Sequence, residues 1–442
     1  MDVLTKQQQI AKLAAAKPGV GFTSLNHYLD MDWFKEAYRR LRSDSAPGVD
    51  GQTVEAYGKD LERNLEALIG KAKSGRYYAP PVRRVHIPKG DGKETRPIGI
   101  PTTEDKVLQR AVTMILEPIY EQEFKEFSFG FRPGRSAHQA LEYLWKQCMD
   151  NQVKWILDVD IRSYFDTIGH AKLREIVGQR VQDGVVRRLI GKWLKAGVME
   201  AGVLSYRQEG TPQGGVVSPI LSNIYLHEVL DTWFDEEVKV RLKGRAFLVR
   251  YADDCVMGFE YEEDARRVYA VLPKRFERYG LRLHPTKTRL ISFARPRRRQ
   301  GHKQRTAEQE EGTFDFLGFT HYWGTTRKGG YAVKRKTAAK RLNRSLKAIN
   351  QWLQRHMHLG IREQWQIMMQ KLQGHFAYYG ITGNGEALEQ FREEVKRLWH
   401  KWLDRRTRRR GGMTWERFNQ LIRRRFPFPP ARVVHSIYAA NS

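Results

Sequence analysis

The sequence predicts an α+β fold, and three observations carry that prediction. The stretch "AFLVRYADDCVMGF", Ala246–Phe259, sets two short apolar runs on either side of a tight Tyr-Ala-Asp-Asp corner. That is the pattern of a β-hairpin. A further β-like run, Val153–Ile161 in "VKWILDVDIRSYFDTI", alternates so that Ile156, Asp158 and Asp160 share one face. Downstream, apolar residues recur at helical spacing: Leu342, Leu346, Ile349 and Leu353, then Leu388, Phe391, Val395, Leu398 and Leu403.

The length of 442 residues exceeds what one domain normally holds. A hydrophobic content of 40%, with 11 Trp, 20 Phe and 19 Tyr, excludes a disordered chain. The formal charge of +28 implies a polyanionic partner, with nucleic acid leading. No apolar run is long enough to span a bilayer, and the N-terminus lacks a secretory pattern. A membrane partner is therefore not expected, and cytoplasmic residence is the default. The two cysteines, Cys148 and Cys255, can build neither a zinc cluster nor a disulfide framework.

The charge is uneven. From Thr320 to Ser442 there are 26 Lys and Arg against 7 Asp and Glu, an excess of 19 out of 28. A basic helix usually has only a solvated face. Here the runs Arg405–Arg410 and Arg423–Arg425 interleave with Trp399, Trp402 and Trp415, which favours nucleic-acid contact. The segment Ala294–Gly312 is polar, charged and without periodicity, and reads as a flexible connection. The chain to about Ser74 reads as helical, broken by the turn-rich "SAPGVDG".

Aspartates often occupy turns for backbone reasons alone. If the Asp160 strand lies beside the hairpin, however, Asp160, Asp253 and Asp254 converge. Such a cluster is costly unless cations neutralise it, and Mg²⁺ is the hard, oxygen-seeking candidate. Two such ions about 4 Å apart can activate an attacking oxygen and stabilise a leaving one in phosphoryl transfer.

At this point the motifs resemble a known family. "YADD" resembles the Tyr-x-Asp-Asp box of reverse transcriptases, and "DIRSYFD" the other acidic palm motif. "GTPQGGVVSPILSNIYL" resembles the turn-helix supporting template, primer and nucleotide in the group II intron branch. "RVHIPKGDGKETRPIGIPTTEDKVLQRAV" and "FSFGFRPGRSAHQAL" resemble its finger motifs, and "SAPGVDG" its extra N-terminal loop. "LRLHPTKTRLISF" and "FDFLGF" resemble the later palm motifs. "GHFAYYG", "WLDRRTRRRGGMTWERFNQLI" and "ARVVHSIY" resemble the maturase (X) region. The motifs occur in order over nearly the whole chain, so the chain is similar to group II intron-encoded reverse transcriptase/maturases of the endonuclease-lacking bacterial type.

This resemblance implies a right-hand polymerase. Residues 1–78 would be an N-terminal helical extension with a loop motif, and 79–320 fingers and palm. Residues 321–442 would be a helical, basic thumb/maturase domain. Metal would be held by Asp160, Asp253, Asp254 and the Ile161 carbonyl. Lys89 and Arg96 would hold the triphosphate, and Gln213, Gly214 and Gly215 would let backbone approach the base pair. Phe165, with Tyr164 as its rival, would sit against the sugar and favour deoxynucleotides. Lys287 would protonate the leaving pyrophosphate. Asp158 and Asp166 read as structural, as does His138, while Arg132 and Arg135 contact template or order the fingers.

Arg405, Arg406, Arg408, Arg409, Arg410, Arg423, Arg424 and Arg425 would bind RNA. The implied partners are intron RNA, an RNA template with a DNA primer, deoxynucleoside triphosphates and target DNA; a homodimer stays open. The chain stops at Ser442 without the cysteines of the family's endonuclease segment, so no nuclease of its own is expected. Two other readings stand beside the polymerase. One is an RNA-binding splicing factor. The other is a domesticated relative serving defence or repair.

Overall fold

The apolar runs around the acidic corner form the strands Ala246–Tyr251 and Asp254–Phe259, paired antiparallel with Tyr251 opposite Asp254. The strand Trp155–Val159 lies on the other side of Asp254–Phe259, with Asp158 opposite Val256 and Val159 opposite Cys255. In the computed structural model this sheet continues to Arg289–Ser292, next to the Trp155–Val159 strand. The structure describes residues 2–89, 94–200, 202–205, 214–296, 312–326, 328–407 and 411–436. Gln213, Arg408, Arg409 and Arg410 lie outside these residues, as do the Lys89 side chain and most of the connection at 294–312.

Two compact units emerge. The first comprises Met1–Gln147 and Val153–Leu290, the second Cys148–Gln152 and Ile291–Ser442. In the first, the helix Thr103–Tyr120 is buried on nearly every side. Besides its apolar residues it buries Asp105, Lys106, Gln109 and Thr113, each of them hydrogen-bonded. The N-terminal helices Val3–Ala16, Met31–Arg39 and Leu61–Ser74 supply Ile10, Trp33, Phe34, Leu65 and Leu68 to the same core. Leu157, Val159, Leu248 and Met257 of the sheet join it. The Trp33 indole donates to the Ala111 carbonyl at 2.9 Å, which pins this packing.

A second sheet of this unit is built on the Gly-rich hairpin. Val82–Lys89 pairs antiparallel with Glu94–Ile100, and Val82 runs parallel to Val198. The "SAPGVDG" loop clings to the start of the buried helix. Lys106 donates to the Ser45 hydroxyl at 2.8 Å, and Thr103 to the Gln52 carbonyl at 2.7 Å. A Cβ on Gly48 would lie 2.6 Å from the Thr102 backbone, so only glycine permits that approach.

The second unit holds the antiparallel strands Phe314–Phe316, Phe319–Thr325 and Tyr331–Thr337. Four helices follow: Ala339–Arg355, Ile361–Tyr379, Gly385–Thr407 and Trp415–Arg424. Leu342, Ile349, Leu353, Leu388, Phe391, Val395 and Leu403 are buried together, and Leu346 and Leu398, of the same spacing, pack half-buried against them.

The tryptophans among the arginines correct one expectation. Trp399 and Trp402 are core residues, not aromatic partners for RNA. Their indoles donate to Gln364 at 3.0 Å and Asn350 at 2.9 Å. Burial demands a partner for each indole N–H, and the helices supply it. Only Trp415 of the three is exposed, and it stacks on His400 with ring centroids 3.9 Å apart.

Candidate active site

The acidic corner is a two-residue turn. Ala252 adopts φ 56°, in the left-handed region, where an L-residue is disfavoured by about 1–2 kcal/mol. Two neighbours hold it there. The Arg250 guanidinium donates to the Ala252 carbonyl at 3.0 Å. Gly130 presses its backbone on the turn; a Cβ there would lie 2.2 Å from the Ala252 nitrogen. The segment around Gly130 is itself tied to the strand. Phe129 N–H donates to the Arg250 carbonyl, and Arg250 N–H to the Phe127 carbonyl, both at 2.9 Å.

Beneath the turn lies a closed polar network. Arg250 is fully buried and donates to both oxygens of Asp231, itself fully buried, at 2.7 and 2.6 Å. It also donates to Asn223 Oδ1 at 3.0 Å, and Asn223 Nδ2 donates to the Gly130 carbonyl at 2.7 Å. Asn223 lies on the helix Ser218–Leu226, and Asp231 on the π-helical stretch His227–Val238 that continues it. Sequence reasoning missed these three residues. The available signal is the Arg of "AFLVRYADD": a cation inside an apolar strand needs a buried partner.

The strand register sets the third carboxylate. Asp160 follows the Val159–Cys255 pair by one step, level with Asp254. Its backbone is clamped by the segment after Leu281. His284 N–H donates to the Asp160 carbonyl at 2.8 Å, and Ile161 bridges to Leu283. The Thr288 hydroxyl accepts from Asp160 N–H at 3.3 Å and donates to its carbonyl at 3.2 Å. This clamp brings Lys287 Nζ to 3.5 Å from Asp160 Oδ2. Asp158 pairs instead with Arg289 at 3.5 Å.

Asp253 is held above the usual carboxylate range, first by burial and further by the nearby charge of Asp160. Arg96 and Arg250 act in the opposite direction. Asp254 is exposed. Among the described residues no three His, Cys, Asp or Glu side chains are gathered at metal-holding range. The chain alone therefore does not draw the carboxylates into a finished cage. The donor set nonetheless suits a hard divalent cation. Asp253 is desolvated and faces a second carboxylate, a charge imbalance that such an ion relieves.

Phe165 follows Ser163, whose φ of 48° turns the chain sharply after the Asp160 strand. The Phe165 ring is half-buried, against Tyr164 at 5.2 Å. Tyr164 is buried and its hydroxyl donates to the Ser222 carbonyl at 2.8 Å, so it is a core residue. Arg96, opposite Ile87 in the Gly-rich hairpin, is exposed. Gly214 has φ 117°, and a Cβ there would lie 2.6 Å from the Gly99 carbonyl oxygen. The close approach seen at this glycine is thus to the chain's own hairpin. Arg132 is buried in bonds to Glu121, Lys125 and Ser128, which orders its segment.

The RNA-binding candidates lie in the second unit. Arg405, Arg406, Arg423, Arg424 and Arg425 are exposed. Arg405 lies over the Trp402 ring at 5.4 Å, and Arg406 donates to the Leu359 carbonyl at 2.6 Å.

An acidic turn level with a further carboxylate on the neighbouring strand suits a nucleic-acid polymerase, whose chemistry runs on carboxylate-held cations. Residues 87–321 match the family described as reverse transcriptase (RNA-dependent DNA polymerase), and the chain belongs to that family. Among its relatives, Protein YkfC of Escherichia coli K12 is 39% identical over 254 residues, 56% of this chain and 65% of that protein. The group II intron-encoded protein LtrA of Lactococcus lactis is 39% identical over 228 residues, 50% of this chain and 38% of that protein. Nuclear intron maturase 2, mitochondrial, of Arabidopsis thaliana is 30% identical over 174 residues, 31% of this chain and 24% of that protein. The chain thus spans less than two thirds of the length of these relatives. No helix among the described residues is long and apolar enough to cross a membrane.

Proposed function

We propose that the protein is an RNA-directed DNA polymerase of the group II intron kind, which also binds intron RNA and assists its splicing and mobility. The observation that carries the polymerase reading is the register bringing Asp160 level with the Asp253–Asp254 turn, with Lys287 3.5 Å from Asp160. Asp160, Asp253, Asp254 and the Ile161 carbonyl are the groups to hold two Mg²⁺ ions. When bound, such ions lower the pKa of an attacking hydroxyl and neutralise charge on the phosphates in transfer.

The chain's own residues then have definite tasks. Lys89 and Arg96 orient the triphosphate of a deoxynucleotide from the Gly-rich hairpin. Gln213, outside the described residues, is assigned to nucleotide binding with them by the motif alone. Phe165 presents its ring edge to the sugar and crowds a 2′-hydroxyl. Lys287 Nζ leaves Asp160 to give its proton to the departing pyrophosphate oxygen. Arg250 does not touch substrate; it holds the turn that aims Asp253.

The fingers and palm of a right hand correspond to residues 79–320, and a thumb/maturase region to 321–442. The basic helices of the latter are the surface for intron RNA, with Arg405, Arg406, Arg408, Arg409, Arg410 and Arg423–Arg425 as contacts. The templates are RNA with a DNA primer, and target DNA is the acceptor in mobility.

The test is primer extension on an RNA template by the parent chain and by Asp253→Asn. Templated DNA synthesis that vanishes in the variant supports the reading. Synthesis by neither, or equally by both, would sink it. Splicing assistance is tested separately, with Arg405, Arg406, Arg408, Arg409 and Arg410 changed together to Gln. Loss of extension with intact intron-RNA binding would make this region a polymerase thumb only.

A further inference from the structure

A cleft of about 570 Å³ opens on the first unit, lined by none of the residues assigned above. Its walls are the helices His170–Arg180 and Gly184–Leu194 and the chain at Tyr78–Ala79. Arg174, Arg187, Arg188, Lys192 and Lys195 line it, with no acidic residue among the lining. Among the described residues none of these five has a carboxylate partner in ion-pair range. Some exposed cations elsewhere do have such partners: Lys172 with Glu175, Arg266 with Glu262, Arg392 with Glu389.

The walls of the cleft are in contact with one another. The arginines of each helix lie against glycines of the other. Arg174 lies over Gly191, 3.8 Å from where a Cβ would stand, and Arg187 over Gly178 at 3.5 Å. Lys192 donates to the Gly75 carbonyl at 2.7 Å and to that of Tyr77, fastening the wall that carries Tyr78. Arg174, Arg187, Arg188 and Lys195 remain exposed around the opening. Tyr78, 70% exposed, stands at its edge.

We propose that this cleft binds a single-stranded polynucleotide, with phosphates on Arg174, Arg187, Arg188 and Lys195 and one base stacked on Tyr78. A groove of cations tracking a backbone, beside an aromatic face for a base, is how single strands are held without sequence preference. Planar guanidinia suit phosphate oxygens, and a cleft of this volume takes more than one phosphate group. An acidic peptide would meet the charges but would leave the tyrosine ring unused.

The proposal takes from the polymerase reading only the choice of RNA as probe. The experiment is fluorescence anisotropy of the full chain with a short labelled oligouridine, over a series of salt concentrations. Arg187→Gln/Arg188→Gln should weaken binding and flatten the dependence of log K on log salt by about 0.7 for each phosphate no longer neutralised. Tyr78→Ala should weaken it roughly tenfold with the slope unchanged. Unchanged affinity and slope in the double variant would overturn the proposal. An independent arm needs no variant: oligouridine should protect Lys195 from acylation, read by mass spectrometry, and equal acylation with and without RNA also overturns it. A parent chain that binds oligouridine in this cleft but never extends a primer would sink the polymerase reading and leave the cleft standing.

Discussion

Arg250 and Asp231 form an ion pair with both side chains wholly excluded from solvent, and the same guanidinium reaches the carbonyl of Ala252 in the acidic turn. One cation thus joins the core to the backbone that aims Asp253. Removing one partner of such a pair typically costs about 3–5 kcal/mol, because the other is left charged and buried. Asp231→Asn should therefore lower the denaturant midpoint markedly. Arg250→Lys keeps the charge but cannot span Asp231, Asn223 and Ala252 together. We expect it to lower kcat for primer extension at least tenfold with little change in KM for nucleotide. Parental kcat in that variant would show that the turn needs no support from below.

Asp253 offers a contrast between stability and activity. Burial and Asp160 both disfavour its charge, so at neutral pH the ionised carboxylate is a burden on the metal-free fold. Asp253→Asn should leave the thermal midpoint of the metal-free protein equal or higher while abolishing extension. A clear fall in that midpoint would mean the carboxylate is stabilised by contacts of its own.

A cation held by Asp160, as proposed above, would compete there with Lys287, which lies 3.5 Å away. Lys287→Gln should lower the extension rate by about tenfold, below the usual range for a general acid because water can replace it in part. It should also shift the half-saturating Mg²⁺ concentration downward, since the competing ammonium is gone. A lowered rate with an unshifted Mg²⁺ response would confine Lys287 to the proton-transfer role.

Phe165 is half-buried while Tyr164 is locked in the core, so the proposed steric gate is assigned to Phe165. Phe165→Val should raise ribonucleotide incorporation relative to deoxynucleotide by at least tenfold in competition assays. An unchanged ratio would return Phe165 to a packing role.

Asp105 gives a pH signature. It accepts from Tyr77 at 2.6 Å, Trp193 at 2.6 Å and Gln109 at 3.0 Å, yet burial pushes its carboxyl up to about 6. The folded state thus holds this proton more tightly than the unfolded chain does. Its contribution to stability is fullest below pH 4 and falls as pH rises to about 6, by about 3 kcal/mol in all. The stability difference between parent and Asp105→Asn should move against the parent across that window and then level off. A difference independent of pH would contradict the shift.

The acidic corner, its hairpin and the Asp160 strand were legible in the chain alone. Alternation and turn chemistry are local, and they determine which face a carboxylate takes. The helical apolar spacing of the second unit was equally legible, since periodicity of 3.6 residues translates directly into a buried stripe. The basic excess pointed to a polyanion before any fold was drawn.

Tertiary structure decided what spacing cannot express. Trp399 and Trp402 sit among arginines in the sequence but face the interior, because a helix turns adjacent residues to different sides. Arg250 needed Asp231 and Asn223, more than twenty residues away in one case, and only the fold brings such donors and acceptors together. Lys287 reaches Asp160 through backbone bonds from a segment over a hundred residues downstream. The basic cleft beside Tyr78 is assembled from two helices and a distant stretch of chain, a grouping that no local spacing expresses. Short-range pattern determined the elements and their charges; the long-range contacts, which depend on burial and on partners for buried polar groups, determined which of those charges are paired in the core and which stay at the surface.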